Sequence, residues 1–154
     1  MSTRVPAEII YSLLDTKWQN ANTPKPVLKQ REMAEELREE IPEGRGLILI
    51  YAESGGVRES PRGNRLYKDE TVNVTVECHS IKSHSQLYDI MEEVTRIMEE
   101  NTRNIAPFQV CRTISYAESY GRQYREWKGE LKLEMDRVAV RTAYRGPGGD
   151  VPTS

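Results

Sequence analysis

The feature that most constrains this chain is a change of hydrophobic period between Thr71 and Glu100. Val72, Val74, Val76 and Cys78 alternate with Thr71, Asn73, Thr75, Glu77 and His79. A period of two gives a strand with one buried face and one polar face. The period then becomes helical. Ser83 with Gln86 three residues on fits a capping box. Leu87, Ile90, Met91, Val94, Ile97 and Met98 form one apolar stripe, with Asp89, Glu92, Glu93, Arg96, Glu99 and Glu100 outside it. A half-buried strand leading straight into a one-striped helix calls for a sheet sealed by that helix.

The flanking segments extend this plan. Pro6 suits a first helical turn with Thr3 as its cap, and Ile9, Ile10, Leu13 and Leu14 then share a helical face. Asn20 to Pro26 closes that helix, and Trp18 reads as an anchor packing its end onto the sheet. From Val27 to Ile41 the spacing of Met33, Leu37 and Ile41 predicts a polar helix with a frayed start, although Lys25 to Gln30 also suits a short strand. Leu47 to Ala52 is a continuous apolar run of buried-strand length. The polar stretch from Glu53 to Asp69 reads as a long loop.

A second block of strands is expected from Phe108, with Phe108, Val110, Arg112 and Ile114 on one face and a turn or bulge at Tyr116 to Gly121. Trp127, Gly129, Leu131, Leu133 and Met135 alternate with Lys128, Glu130, Lys132 and Glu134. A phase change near Asp136 shifts the apolar positions to Val138 and Val140 and suggests a bulge or break. The fold class expected is α+β: an antiparallel or mixed sheet packed by one amphipathic helix and an N-terminal helix. Residues 1–144 form one domain in this reading, and the Gly/Pro-rich residues 145–154 a flexible tail.

Composition excludes several functions. The 154 residues carry 22 Lys and Arg against 24 Asp and Glu, a formal charge of −2, which argues against coating nucleic acid by bulk charge. No apolar run approaches the roughly 20 residues that span a bilayer, and the start has no signal-peptide core, so the expectation is a soluble product of a cytoplasm. Cys78 and Cys111 are too few for a disulfide framework, and with His79 and His84 they lack a zinc spacing. Six Glu between Glu32 and Glu43 alternate with Arg31, Arg38 and Arg45 and read as a surface salt-bridge lattice. No nucleophile elbow, phosphate loop or dinucleotide-binding turn occurs. Neither an enzymatic activity nor a cofactor is expected.

Two surface features remain. The stretch Glu53 to Asp69 carries Arg58, Arg62, Arg65 and Lys68 against Glu53, Glu59, Asp69 and the adjoining Glu70, and reads either as a contact arm or as a solvated hairpin tip. Tyr116, Tyr120, Tyr124 and Trp127 with Arg122 and Arg125 combine the residue types that buried interfaces favour. The same types stack on single-stranded nucleic acid. Candidate interface residues are therefore Arg58, Arg62, Arg65, Lys68, Tyr120, Tyr124, Arg125 and Trp127.

The order of a helix ending near Trp18, the apolar strand at Leu47, a long connection, the alternating strand Val72 to His79, the helix Ser83 to Glu100 and the hairpin Phe108 to Met135 resembles the tail-terminator, or head–tail joining, proteins of tailed viruses. The resemblance covers most of residues 5–141 and is one of element order, size and texture. It implies a tail-terminator-like sandwich and a structural virion protein at the tail–neck junction, made in the host cytoplasm. It also implies a ring of this chain, commonly six subunits, meeting the tail tube and the neck or connector proteins. DNA would pass through the lumen without sequence readout; neither a membrane nor a cofactor is implied. The competing expectation is a small ferredoxin-like binding module for single-stranded nucleic acid or a small ligand. An enzyme built on the Glu-rich segment or on Cys78 and His79 is a third.

Overall fold

The computed structural model describes residues 5–20, 22–31, 41–59, 67–106, 108–122 and 125–140, without the side chains of 31, 53–59, 67–70 and 137–140. Two helices and five strands follow one another as α1 (Pro6–Lys17), β1 (Val27–Arg31), β2 (Leu47–Glu59), β3 (Tyr67–Ser80), α2 (His84–Glu100), β4 (Val110–Gly121) and β5 (Glu126–Val140). The strands form one mixed sheet in the order β1-β2-β3-β5-β4. β1 runs parallel to β2, and every other pair is antiparallel. The chain is thus an α+β protein.

Both helices lie on one face of the sheet. Ala7, Ile9, Ile10, Leu13 and Leu14 of α1 and the whole apolar stripe of α2 meet Ile48, Ile50, Val74, Val76, Cys78, Leu131, Leu133 and Met135 in a single core. The parity of the strands makes this possible: Ile50, Val76 and Leu131 are cross-strand neighbours, as are Ile48, Cys78 and Gly129. Gly129 interrupts the large apolar residues of β5 for a steric reason. A Cβ there would sit 1.8 Å from the Met91 sulfur, so glycine lets α2 press its methionine onto the strand.

The helix ends follow local chemistry. Ser83 caps α2 by accepting from the Gln86 amide at 3.0 Å. The Gln86 side chain turns to the Ser80 hydroxyl and the Glu43 carbonyl, so the cap is one-sided. At α1 the N-cap is Val5, without a side-chain bond, and Pro6 opens the first turn. This corrects the assignment of the cap to Thr3. Trp18 anchors the far end: packed on the core, it donates from Nε1 to the Thr23 carbonyl at 2.9 Å.

Several expectations on element boundaries are corrected. Val27 to Arg31 is a strand, because parallel pairing with the buried residues Leu47 to Tyr51 of β2 outweighs the local helical spacing; the rest of the expected polar helix, 32–40, lies outside the described residues. The expected loop from Glu53 to Asp69 is mostly strand. β2 runs to Glu59 and β3 starts at Tyr67, and the polar residues are accommodated by a bulge between Ala52 and Gly55. Tyr116 to Gly121 continues β4 instead of turning. The bulge falls at Ile114, so the buried residues are Phe108 and Cys111, and Ile114 is half exposed. Near Asp136 there is no break: β5 pairs with β3 continuously to Val140. The boundary at 144 and the expected tail lie outside the described residues.

The second face of the sheet is buried around β2 and the middle of β3 and part-exposed along β5, where Lys128, Glu130, Lys132 and Glu134 lie. Leu47 and Leu49 pack with Ile41 and Val27, and beside them Thr75, Glu77 and His79 are buried.

Candidate functional site: the edge strand β4 and the groove beside α2

β4 is an edge of the sheet, hydrogen-bonded on one side to β5. Every residue from Arg112 to Gly121 is exposed. An exposed strand of this length presents a row of unpaired amides and carbonyls that can accept another strand. Natural edges are blunted by charge or bulges. Among the described residues the edge is blunted by the Ile114 bulge, by the Cys111 amide bonded to the Thr102 carbonyl at 2.8 Å, and by Arg112 bonded to Glu134 at 2.7 Å and Asp136 at 2.6 Å on the face away from the helices.

On the helix side the edge is aromatic. Tyr116, Glu118 and Tyr120 project there, in register with Leu131, Gly129 and Trp127. Trp127 packs against the His84 ring in a stack with centroids 4.4 Å apart and 17° between planes, and against Tyr120 at 4.4 Å and 50°. His84 opens α2, and its Nε2 lies 3.2 Å from Glu118. Tyr116 donates to the other oxygen of Glu118. These hydrogen bonds, from Tyr116 first and then His84, hold the Glu118 carboxyl below its usual range. The start of α2 is thereby tied to β5 by the His84–Trp127 stack and to β4 by the His84–Glu118 contact.

Further along, α2 and Tyr116 of β4 border open space. They enclose a groove of about 380 Å³ with Met91 at its floor, Tyr88 and Tyr116 on opposite walls, and Glu92 and Glu99 along α2. Tyr88 is 56% and Tyr116 52% exposed, large apolar rings left in water. Arg96 also lines the groove, but its guanidinium is engaged by Glu93, Glu100 and the Lys17 carbonyl.

The expected interface residues are distributed unevenly. Tyr120 and Trp127 meet in this cluster. Trp127 is partly buried and spends its ring on His84 and Tyr120, so its role is to shape the surface. Arg125 is exposed in the β4–β5 connection with φ of 51°, a left-handed turn conformation unusual for a non-glycine residue. Arg58 and Lys68 lie at neighbouring positions in the outer part of the β2–β3 hairpin, Arg58 paired with Asp69 and Lys68 with Glu59. Arg62, Arg65 and Tyr124 lie outside the described residues. Tyr88, Glu92 and Glu99 escape a sequence reading because the polar side of an amphipathic helix looks the same whether it faces bulk water or a groove.

A second cluster was equally hidden. On the opposite face Glu77 accepts a hydrogen bond from the Tyr51 hydroxyl and lies 3.1 Å from His79 Nε2, while His79 Nδ1 lies 3.2 Å from Glu126. Lys128 stands 3.8 Å from Glu77. Burial alone would raise the Glu77 carboxyl, but the bonds from His79 and Tyr51 prevail and hold it at about 2. Among the described residues no group of three metal-ligating side chains is arranged to hold an ion. Cys78 and Cys111 are free and buried; burial raises both thiols, Cys111 to about 12, so neither is poised as a thiolate. No family model matches the sequence, and a search of curated proteins gives no match.

Proposed function

We propose that this chain is a structural virion subunit of a tailed virus, a tail terminator or head–tail connector that closes into a ring at the tail–neck junction. The observation that carries the reading is the β4 edge: ten successive exposed residues with aromatic side chains, on one margin of the sheet. An edge of this kind suits a repeated contact between copies. The other margin is the short strand β1, so the two ends of the sheet differ and a contact between unlike surfaces is available. Contacts between unlike surfaces generate rings when the rotation closes. Two helices on one face of a mixed sheet are compatible with a tail terminator, although β1 and the strand within Glu53 to Asp69 depart from the order on which the resemblance rests.

The test is negative-stain imaging of the purified chain beside a single-strand binding titration. Closed rings of uniform diameter with no salt-dependent binding of oligonucleotide support the connector. A dispersed monomer that binds oligonucleotide, with binding lost in Tyr120→Ala, overturns it in favour of a nucleic-acid module.

A further inference from the structure

We propose that the groove between α2 and β4 receives the basic end of the β2–β3 arm of a second copy of this chain. The inference deepens the ring reading and rests on it for the head-to-tail arrangement.

The groove is acidic and aromatic. Tyr88 and Tyr116 face each other across it, and Glu92 and Glu99, both exposed, run along its α2 side. Among the described residues neither of these glutamates has an ion-pair partner, whereas the one lining cation, Arg96, is bound by Glu93 and Glu100. Unlike the rest of this slightly acidic chain, residues 58–68 are strongly basic. They hold Arg58, Arg62, Arg65 and Lys68 against the single acid Glu59, a net charge of +3. Two acids beside exposed tyrosine rings match such a segment chemically, since arginine bonds carboxylates and stacks on aromatic faces.

The register makes this contact intermolecular. Tyr116 pairs with Leu131, and the arm is still paired at Tyr67 with Val140, nine residues further along β5. At about 3.3 Å per residue the arm therefore leads roughly 30 Å along the sheet from the groove of its own molecule. Arm and groove are also different surfaces, separated across the sheet by β5. Each copy can give its arm to one neighbour and its groove to the other, with the exposed β4 edge beside the groove.

Charge reversal tests this on the full chain. Glu92→Lys with Glu99→Lys reverses the groove, and Arg62→Glu with Arg65→Glu reverses the arm. Mass measured by sedimentation across a concentration series is expected to show each variant associating at least tenfold more weakly than wild type. An equimolar mixture of the two is expected to recover assembly, because every contact in an alternating array is then complementary. Circular dichroism establishes that each variant folds. The inference is overturned by either variant assembling like wild type, by a mixture of folded variants that stays dispersed, or by a wild type that is monomeric at every concentration. Imaging separates this from the ring reading. Wild-type rings insensitive to both reversals sink the groove contact alone, and charge-rescued assemblies that never close sink the ring alone.

Discussion

Glu93 supplies the sharpest test of how the groove helix is held. It lies on the nominally polar side of α2 yet is 4% exposed. One carboxylate oxygen accepts from the Gln19 amide at 2.8 Å, the Asn20 amide at 3.1 Å and Arg96 Nη2 at 2.8 Å, and the other accepts from Arg96 Nε at 2.8 Å. Arg96 in turn donates to the Lys17 carbonyl at 3.1 Å. The pair thus clamps the end of α1 to α2. The arginine bonds, against the opposing effect of burial and with help from the two amides, hold the carboxyl at about 2 in place of 4.5. At 1.36 kcal/mol per pH unit that depression corresponds to roughly 3 kcal/mol of stability at neutral pH. Arg96 is partly exposed and regains water when its partner is lost, so Glu93→Ala is expected to cost about 2–3 kcal/mol. For a domain of this size that lowers the melting temperature by roughly 5–10 °C. Glu93→Gln, which keeps a carbonyl oxygen for the amides, is expected to cost about half as much. Because the folded carboxyl is depressed, its contribution is complete above about pH 4.5 and is lost as the pH falls through about 2. Thermal melts of wild type and Glu93→Ala should therefore differ most at pH 7 and converge toward pH 2.5. Equal melting temperatures at pH 7, or a gap at pH 2.5 as wide as that at pH 7, would refute the clamp.

Other residues give independent tests. Gly46 has φ of +78°, and a Cβ there would stand 2.8 Å from the His79 carbonyl oxygen, so Gly46→Ala should cost at least about 2 kcal/mol in urea unfolding. Tyr51→Phe removes a donor to Glu77; it should cost roughly 1–2 kcal/mol at pH 7 and make acid unfolding begin nearer pH 4.5, read by circular dichroism against pH. Trp127→Ala breaks the His84 stack and should cost about 2–3 kcal/mol by chemical denaturation, whereas Tyr120→Ala, whose ring is 43% exposed, should cost less than about 1 kcal/mol.

The core was legible in the sequence where one face of an element is apolar. The alternation from Val72 to Cys78 and the stripe from Leu87 to Met98 locate the residues that meet in the core. What escaped was set by partners distant in the chain. Val27 to Arg31 becomes a strand because Leu47 to Tyr51 of β2, buried on both faces, offer it an edge. Gly55 and Gly56 look like loop residues, but a bulge at Ala52 absorbs the change of register and lets the hairpin continue to Glu59. Glu93 reads as a solvated charge until the end of α1 is seen to present two amides to it. The candidate site was half visible. Tyr120 and Trp127 stand out by residue type, whereas Glu92 and Glu99 acquire meaning once β4 is placed beside them.

We infer that copies of this chain close on one another through unlike surfaces. Native mass spectrometry of the full chain, at rising concentration and low ionic strength, tests it most directly. The account predicts one closed species, a multiple of 17.7 kDa with six copies expected, that dissociates as salt screens the arm and groove charges. A monomer that persists at every concentration would contradict it.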